Sequence, residues 1–277
     1  MEDLANFARL VEALRPWLTH LVIVGGWAHR LHRFHPLATS QEYQSLRTRD
    51  VDLAFSPSAP LEGDLRNALK QAGFEEELSG EHTPPVTHYY LGEGDGGLCA
   101  EFLTVKQGTG LRRDGKPDLT VSKAGITAQK LRHLELLLEA PWNVQMGGER
   151  QMRVEGSVEL VVPNPVSFIV QKLLIHKHRD DNKKAQDVLY IHDSLELFGA
   201  SLDKLQKVWE AEVRPTMSPK TARRALATAS ELFENVTDTI RNAARIPQDR
   251  NLQPENLRAA TQYGLEELFR GSGLSHG

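Results

Sequence analysis

The first apolar positions of the chain, Leu4, Phe7, Leu10, Val11 and Leu14, recur at three- and four-residue spacing and predict an amphipathic helix closed near Pro16. Leu21-Val22-Ile23-Val24 is an unbroken apolar run that stops at Gly25-Gly26, the pattern of a short buried strand and a turn, and a helix is expected from Trp27 through Phe34. In Asp50-Val51-Asp52-Leu53-Ala54-Phe55 a strand sends Asp50 and Asp52 to one face while Val51, Leu53 and Phe55 point into a core. After the turn cluster at residues 56–60, a helix is expected over 61–72, stopped by Gly73. Further strands are expected at Val86–Leu91 and Leu98–Val105.

Downstream, Arg112 and Arg113 stand among glycines, and Gly147-Gly148 marks a turn before a strand or hairpin over 152–162. From Pro165 onward strand signals almost vanish, and helices are expected over 168–178, 183–198, 202–213, 222–244 and 255–269. The pattern predicts an α+β chain: a small mixed-sheet domain over 1–162, then a helical domain over 163–277, with residues 271–277 a frayed tail.

The 277 residues are 40% hydrophobic and 25% charged, the balance of an ordinary globular protein with a sizeable core. A formal net charge of -4 argues against coating nucleic acid by bulk electrostatics, so contact with RNA or DNA would be local. The single cysteine, Cys99, excludes an intramolecular disulfide framework and a cysteine-rich zinc site, and reads as a small core residue. The first 16 residues suit neither a signal nor a transit peptide, and no apolar run approaches the roughly 20 residues needed to span a bilayer. A cytoplasmic protein without membrane attachment is expected.

Two carboxylates on one strand face are a candidate metal site, because Mg²⁺ takes hard oxygen ligands and shares them with substrate phosphates. The ordered set of a strand ending in Gly25-Gly26, a helix, and a strand bearing Asp50-Val51-Asp52 resembles the signature of the DNA polymerase beta-type nucleotidyltransferase superfamily. The connection from Phe34 to Arg47 is longer than that family's minimal pattern. The resemblance implies that Gly25 and Gly26 let the backbone approach a nucleoside triphosphate such as ATP, and that Asp50 and Asp52 hold Mg²⁺, with Mn²⁺ as a substitute. It also implies a third carboxylate on a neighbouring strand. Glu101, the one charged residue in Leu98–Val105, fits that place as catalytic residue and metal ligand; read without the resemblance, it is a strand-edge glutamate in solvent.

The run Pro165 to Arg179, followed by Lys183-Lys184-Ala185-Gln186-Asp187, is similar to the helical motif of the AbiEii/MenT-like branch of nucleotidyltransferases. The similarity puts Lys172, Lys184 and Asp187 at the family's positions, Lys172 and Lys184 as nucleotide-binding residues and Lys172 and Asp187 in the catalytic set. Lys172, Lys177, Arg179, Lys183 and Lys184 against Asp180 and Asp181 give a local charge of +3, suited to triphosphate or equally to a solvated surface. Asp187 also lies within helical reach of Lys183 and Lys184, so a structural ion pair is the other reading. His29, His32 and His35 recur every three residues, a step that drifts around a helix, and partly exposed histidine is the default reading. Trp17, Trp27 and Trp142 read as core or domain-interface residues.

The resemblance as a whole implies a Mg²⁺-dependent enzyme moving an NMP from an NTP to an acceptor hydroxyl. On a tRNA or other RNA acceptor it would be toxin-like, with an antitoxin-like protein partner; a small molecule is another acceptor class. The competing reading is a non-catalytic nucleotide-binding or regulatory module acting through a protein partner. A Rossmann oxidoreductase is disfavoured, because Gly25-Gly26-Trp27-Ala28 lacks the spaced three-glycine fingerprint.

Overall fold

The computed structural model describes residues 2–80, 84–93, 97–108, 110–111, 115, 117–147, 154 and 156–272. Arg112, Arg113, Gly148, most of the run before Ser157 and the tail from 273 lie outside the described residues. The chain forms two compact units. One comprises Met1–Phe34 with Arg47–Pro163, the other His35–Leu46 with Asn164–Gly277. The first is mixed α/β and the second helical.

The first unit opens with α1 (Glu2–Ala13), whose apolar face buries Phe7, Leu10 and Val11 as the spacing predicts. A 3₁₀ turn over Arg15–His20, with proline in its first turn, separates α1 from the glycine strand. Then come β1 (Val22–Val24) and α2 (Gly25–His32), which starts at the glycines rather than after them. Trp27 of α2 stacks on Phe7 of α1 with ring centroids 3.9 Å apart, and Arg30 lies over the indole while bonding Asp3 at 2.8 Å. A buried aromatic pair of this kind contributes about 0.5–1.5 kcal/mol beyond its area and fixes the helix that carries the glycines.

The remaining elements of this unit are β2 (Asp50–Phe55), α3 (Leu65–Gln71), β3 (Glu75–Ser79), β4 (Val86–Leu91), β5 (Leu98–Val105), β6 (Thr120–Lys123), β7 (Ile126–Leu131), α4 (Glu135–Leu138), β8 (Trp142–Gly147) and β9 (Ser157–Val162). The expected helix over 61–72 starts later, because Asp64 accepts from Asn67 N at 2.9 Å and caps it there. The nine described strands form one mixed sheet, larger than the small sheet the pattern suggested, with the order β3-β4-β5-β2-β1-β9-β8 and with β7 joining β5 to β6. The glycine strand β1 runs antiparallel to β2, and β2 runs parallel to β5. Val51, Leu53, Phe55, Ala100 and Phe102 are buried, as their alternation requires. On the face shared with Asp52, an apolar cluster of Val22, Val24, Ala54, Leu103, Leu134 and Leu137 fills the sheet from Ala54 onward. The acids lie where that cluster stops.

Trp27 and Trp209 belong to the core, whereas Trp17 and Trp142 are half-buried. His29 and His32 are fully buried, not partly exposed, and His32 Nε2 lies 2.8 Å from the Pro163 carbonyl. A polar ring in a core needs such a partner.

The helical unit contains α5 (Pro165–Ile175), α6 (Asp181–Leu197), α7 (Leu202–Val208), α8 (Pro219–Phe233), α9 (Asp238–Ala244) and α10 (Pro254–Leu268), with a π-helical turn at Trp209–Val213. Asn164, Asp180, Ser218 and Thr237 cap α5, α6, α8 and α9 through side-chain acceptors. The single helix expected over 222–244 is two, because Thr237 starts a second one. The segment His35–Leu46 is anchored within this unit. Thr39 N donates to the Leu197 carbonyl at 2.8 Å, the Tyr43 hydroxyl to Glu196 at 2.7 Å and Gln44 N to Asp249 at 2.6 Å. Arg250 stacks on the Tyr43 ring at 3.5 Å and holds both oxygens of buried Asp193 at 2.5 and 2.6 Å.

Candidate active site

Strand register brings the acids together. Asp52 pairs with Glu101 across β2 and β5, and Asp50 pairs with Cys99 one step along the same face. The next strand continues both rows, His88 standing opposite Glu101 and Tyr90 opposite Cys99. Lateral neighbours in a sheet share a face, so Asp50, Asp52, Cys99, Glu101, His88 and Tyr90 form one polar patch at the end of the sheet beyond the apolar cluster. Asp50 is exposed, Asp52 and Glu101 are half-buried, and Cys99 is buried. Carboxylates so disposed are held by rigid strands yet remain open to a ligand.

Gly25 borders this patch. Its φ of +63° lies in the left-handed region, and a Cβ there would overlap Oδ2 of Asp52 and stand 3.1 Å from its Cγ. Glycine is thus required twice, for the backbone conformation and for room beside the carboxylate. The same close approach sets the start of α2, an end that favours negative charge, against the acid face.

Two neighbouring groups feel the field of the patch. The Cys99 thiol is pushed up to about 12, first by burial, then by the Glu101 carboxylate, with Asp50 and Asp52 adding to the effect and a hydrogen bond with Tyr90 opposing it. The Tyr90 hydroxyl is likewise pushed up to about 12, first by burial and then by Cys99, Glu77 and Glu101. The charges of Asp50, Asp52 and Glu101 therefore all reach Cys99, and hard oxygen donors of this kind fit a divalent cation such as Mg²⁺.

Lys172, Lys184 and Asp187 lie in the helical unit. Lys172 is buried, its Nζ 2.8 Å from Asp187 Oδ1 and 5.3 Å from the ring centroids of both Phe168 and Tyr190. Arg179 reaches the other oxygen of Asp187 at 3.2 Å. Asp187 therefore pairs with Lys172 and Arg179 rather than with Lys183 or Lys184, because its side chain turns into the α5–α6 packing instead of along its own helix. Lys184 pairs with Asp181 at 3.0 Å, and Lys177 with Glu231 at 2.8 Å. Four of the five cations in the run thus have carboxylate partners, which tempers the basic patch expected from sequence. His176, buried beside this network, is held below the ordinary histidine range, chiefly by burial.

Sequence reasoning passed over His88 and Tyr90. Their two-residue spacing in Val86–Leu91 puts them on one face, but only the β4–β5 register sets that face beside Glu101.

A nucleotidyltransferase family model matches residues 2–214, well over half of the chain. The fold and the acid-bearing strands therefore belong to a transferase, and the chain is a member of this nucleotidyltransferase family. No match was found among curated proteins. No helix among the described residues is long and apolar enough to cross a membrane.

Proposed function

We propose that the protein transfers an NMP from an NTP to an acceptor hydroxyl, breaking the α–β phosphoanhydride bond and releasing pyrophosphate, with Mg²⁺ held by Asp50, Asp52 and Glu101. The observation that carries this reading is the register pairing of Asp52 with Glu101, with Asp50 on the same face and Gly25 pressed against Asp52. Bound there, magnesium supplies Lewis-acid stabilisation of charge on the phosphate oxygens. The side chains themselves hold and orient: Asp50 and Asp52 fix the donor set from one rigid strand, and Glu101 completes it beside the acceptor hydroxyl. Gly25 and Gly26 leave the backbone bare so that the triphosphate approaches the start of α2. Positioning and charge stabilisation together are what phosphoryl-group chemistry asks of a protein.

Within this proposal the acceptor is RNA, a tRNA end first, and the enzyme is a toxin-like member of the AbiEii/MenT-like branch restrained by an antitoxin-like protein. The support is the similarity of the Lys172-to-Asp187 motif to that branch. Lys172, Lys184 and Asp187 enter the nucleotide and catalytic roles on that similarity. The protein acts in the cytoplasm.

The test incubates purified protein with Mg²⁺, each of the four labelled NTPs and total cellular RNA, beside an Asp50→Ala/Asp52→Ala control of unchanged circular dichroism. Label in RNA with the intact protein alone supports the proposal, and the preferred base identifies the donor. Label on a protein or small molecule instead removes the RNA acceptor, and absence of any transfer favours a nucleotide-binding module working through a partner.

A further inference from the structure

The acid face carries a second donor set. His88, Cys99 and Glu101 bring an imidazole nitrogen, a thiol sulfur and a carboxylate oxygen all within 4.8 Å of one another. His88 Nε2 lies 3.7 Å from Glu101 Oε1, beyond hydrogen-bond reach. Two donors bound to one tetrahedral zinc at about 2.0–2.3 Å each stand about 3.3–3.8 Å apart, so that gap suits a shared ion better than a direct bond. The other imidazole nitrogen, Nδ1, lies 3.4 Å from the Tyr90 hydroxyl. That contact turns Nε2 toward the thiol and carboxylate, as an outer partner orients a metal-binding histidine. His88 and Glu101 remain partly open, with side chains 19% and 27% exposed, which gives an ion a path in. The comparable group in the helical unit, His192, Asp193 and Glu196, is a poorer candidate because Arg250 already holds both oxygens of Asp193.

Magnesium has no use for a thiolate, whereas zinc takes sulfur, nitrogen and carboxylate oxygen together. We propose that His88, Cys99 and Glu101 form a zinc site, with water in the fourth position, that overlaps the magnesium set through Glu101. Cys99 releases its thiol proton to solvent as the zinc–sulfur bond forms. Zinc in this site takes Glu101 away from magnesium and so inhibits transfer. The inhibition rests on the proposed role of Glu101 in transfer; the binding site does not.

Cobalt(II) titration of the full chain separates the two. Cys99 is the one cysteine of the protein, so a thiolate-to-cobalt charge-transfer band arises from it alone. The expected result is one equivalent of cobalt giving that band, displaced by zinc and absent in Cys99→Ala. His88→Ala should weaken cobalt binding by more than the roughly tenfold to hundredfold that loss of an outer partner costs, and Tyr90→Phe should fall within that range. Circular dichroism of each variant checks that the sheet still forms, and Cys99→Ser stands in should Cys99→Ala unfold. No band at stoichiometric cobalt, or a band equally tight in His88→Ala, overturns the site, whatever the transfer assay gives. If the band forms and transfer is active, zinc should inhibit the parent and spare His88→Ala. Equal inhibition of both overturns the competition.

Discussion

Replacing Lys172 by Met decides whether that lysine holds the helices together or serves the nucleotide. The ammonium is 6% exposed and lies 2.8 Å from a carboxylate that is 1% exposed, so Met leaves Asp187 charged in a site with almost no water. Removing one partner of such a pair costs about 3–5 kcal/mol, because the remaining charge stays buried. Arg179 still contacts Asp187 at 3.2 Å from a position 35% exposed, which favours the lower end, about 3 kcal/mol. At roughly 2–4 °C per kcal/mol for a protein of this size class, the melting temperature should fall by about 6–12 °C. Asp187→Asn should destabilise comparably by stranding Lys172, and the double variant should recover more than half of the loss, since an apolar stem between Phe168 and Tyr190 leaves no charge unpaired. Thermal and urea unfolding of the three variants supply the cycle. If Lys172→Met melts within about 1 °C of the parent while NTP affinity falls, the ammonium serves phosphate and the structural reasoning is refuted.

Two further predictions concern other parts of the chain. Gly25→Ala carries a left-handed φ penalty of about 1–2 kcal/mol and drives a methyl into Asp52. A carboxylate displaced by about 1 Å lowers kcat/KM roughly a hundredfold; a variant with normal circular dichroism and full transfer activity would remove Gly25 from the site. In the helical unit, burial holds His192 down to about 4, against an ordinary value near 6.5. The unfolded chain takes up the proton first as pH falls. The stability due to neutral His192 is thus complete above about 6.5 and lost between about 6.5 and 4, roughly 3 kcal/mol across the window. Urea midpoints from pH 7 to 4 should show this slope in the parent and a shallower one in His192→Asn; identical slopes would assign the acid sensitivity elsewhere.

What was legible in the sequence follows backbone periodicity. Strands β4 and β5 fall where composition placed them, and the Asp-Val-Asp alternation gave the strand of the two acids. Strand β3 was missed because Glu75-Glu76-Glu77 carries no apolar alternation; it is an edge strand held by pairing with β4. Strands β6, β7 and β8 were also missed, their polar residues Ser122, Gln129, Lys130, Asn143 and Gln145 leaving no continuous apolar run. The long connection after α2 read as an insertion, and its attachment through Tyr43 to Glu196 and Arg250 spans more than 150 residues of chain for the first of these contacts. No local pattern encodes a partner that far away.

The sequence by itself determined that Asp50 and Asp52 share a strand face and that two glycines end the first strand, because side-chain alternation and glycine's freedom are properties of a few consecutive residues. Tertiary structure decided the rest. Parallel pairing of β2 with β5 set Glu101 beside Asp52, antiparallel pairing of β4 brought His88 to the same row, and packing of α5 on α6 gave Lys172 to Asp187. Register and burial depend on which distant segments exclude water together, and a slip of one residue in either strand pair would turn Glu101 or His88 to the opposite face.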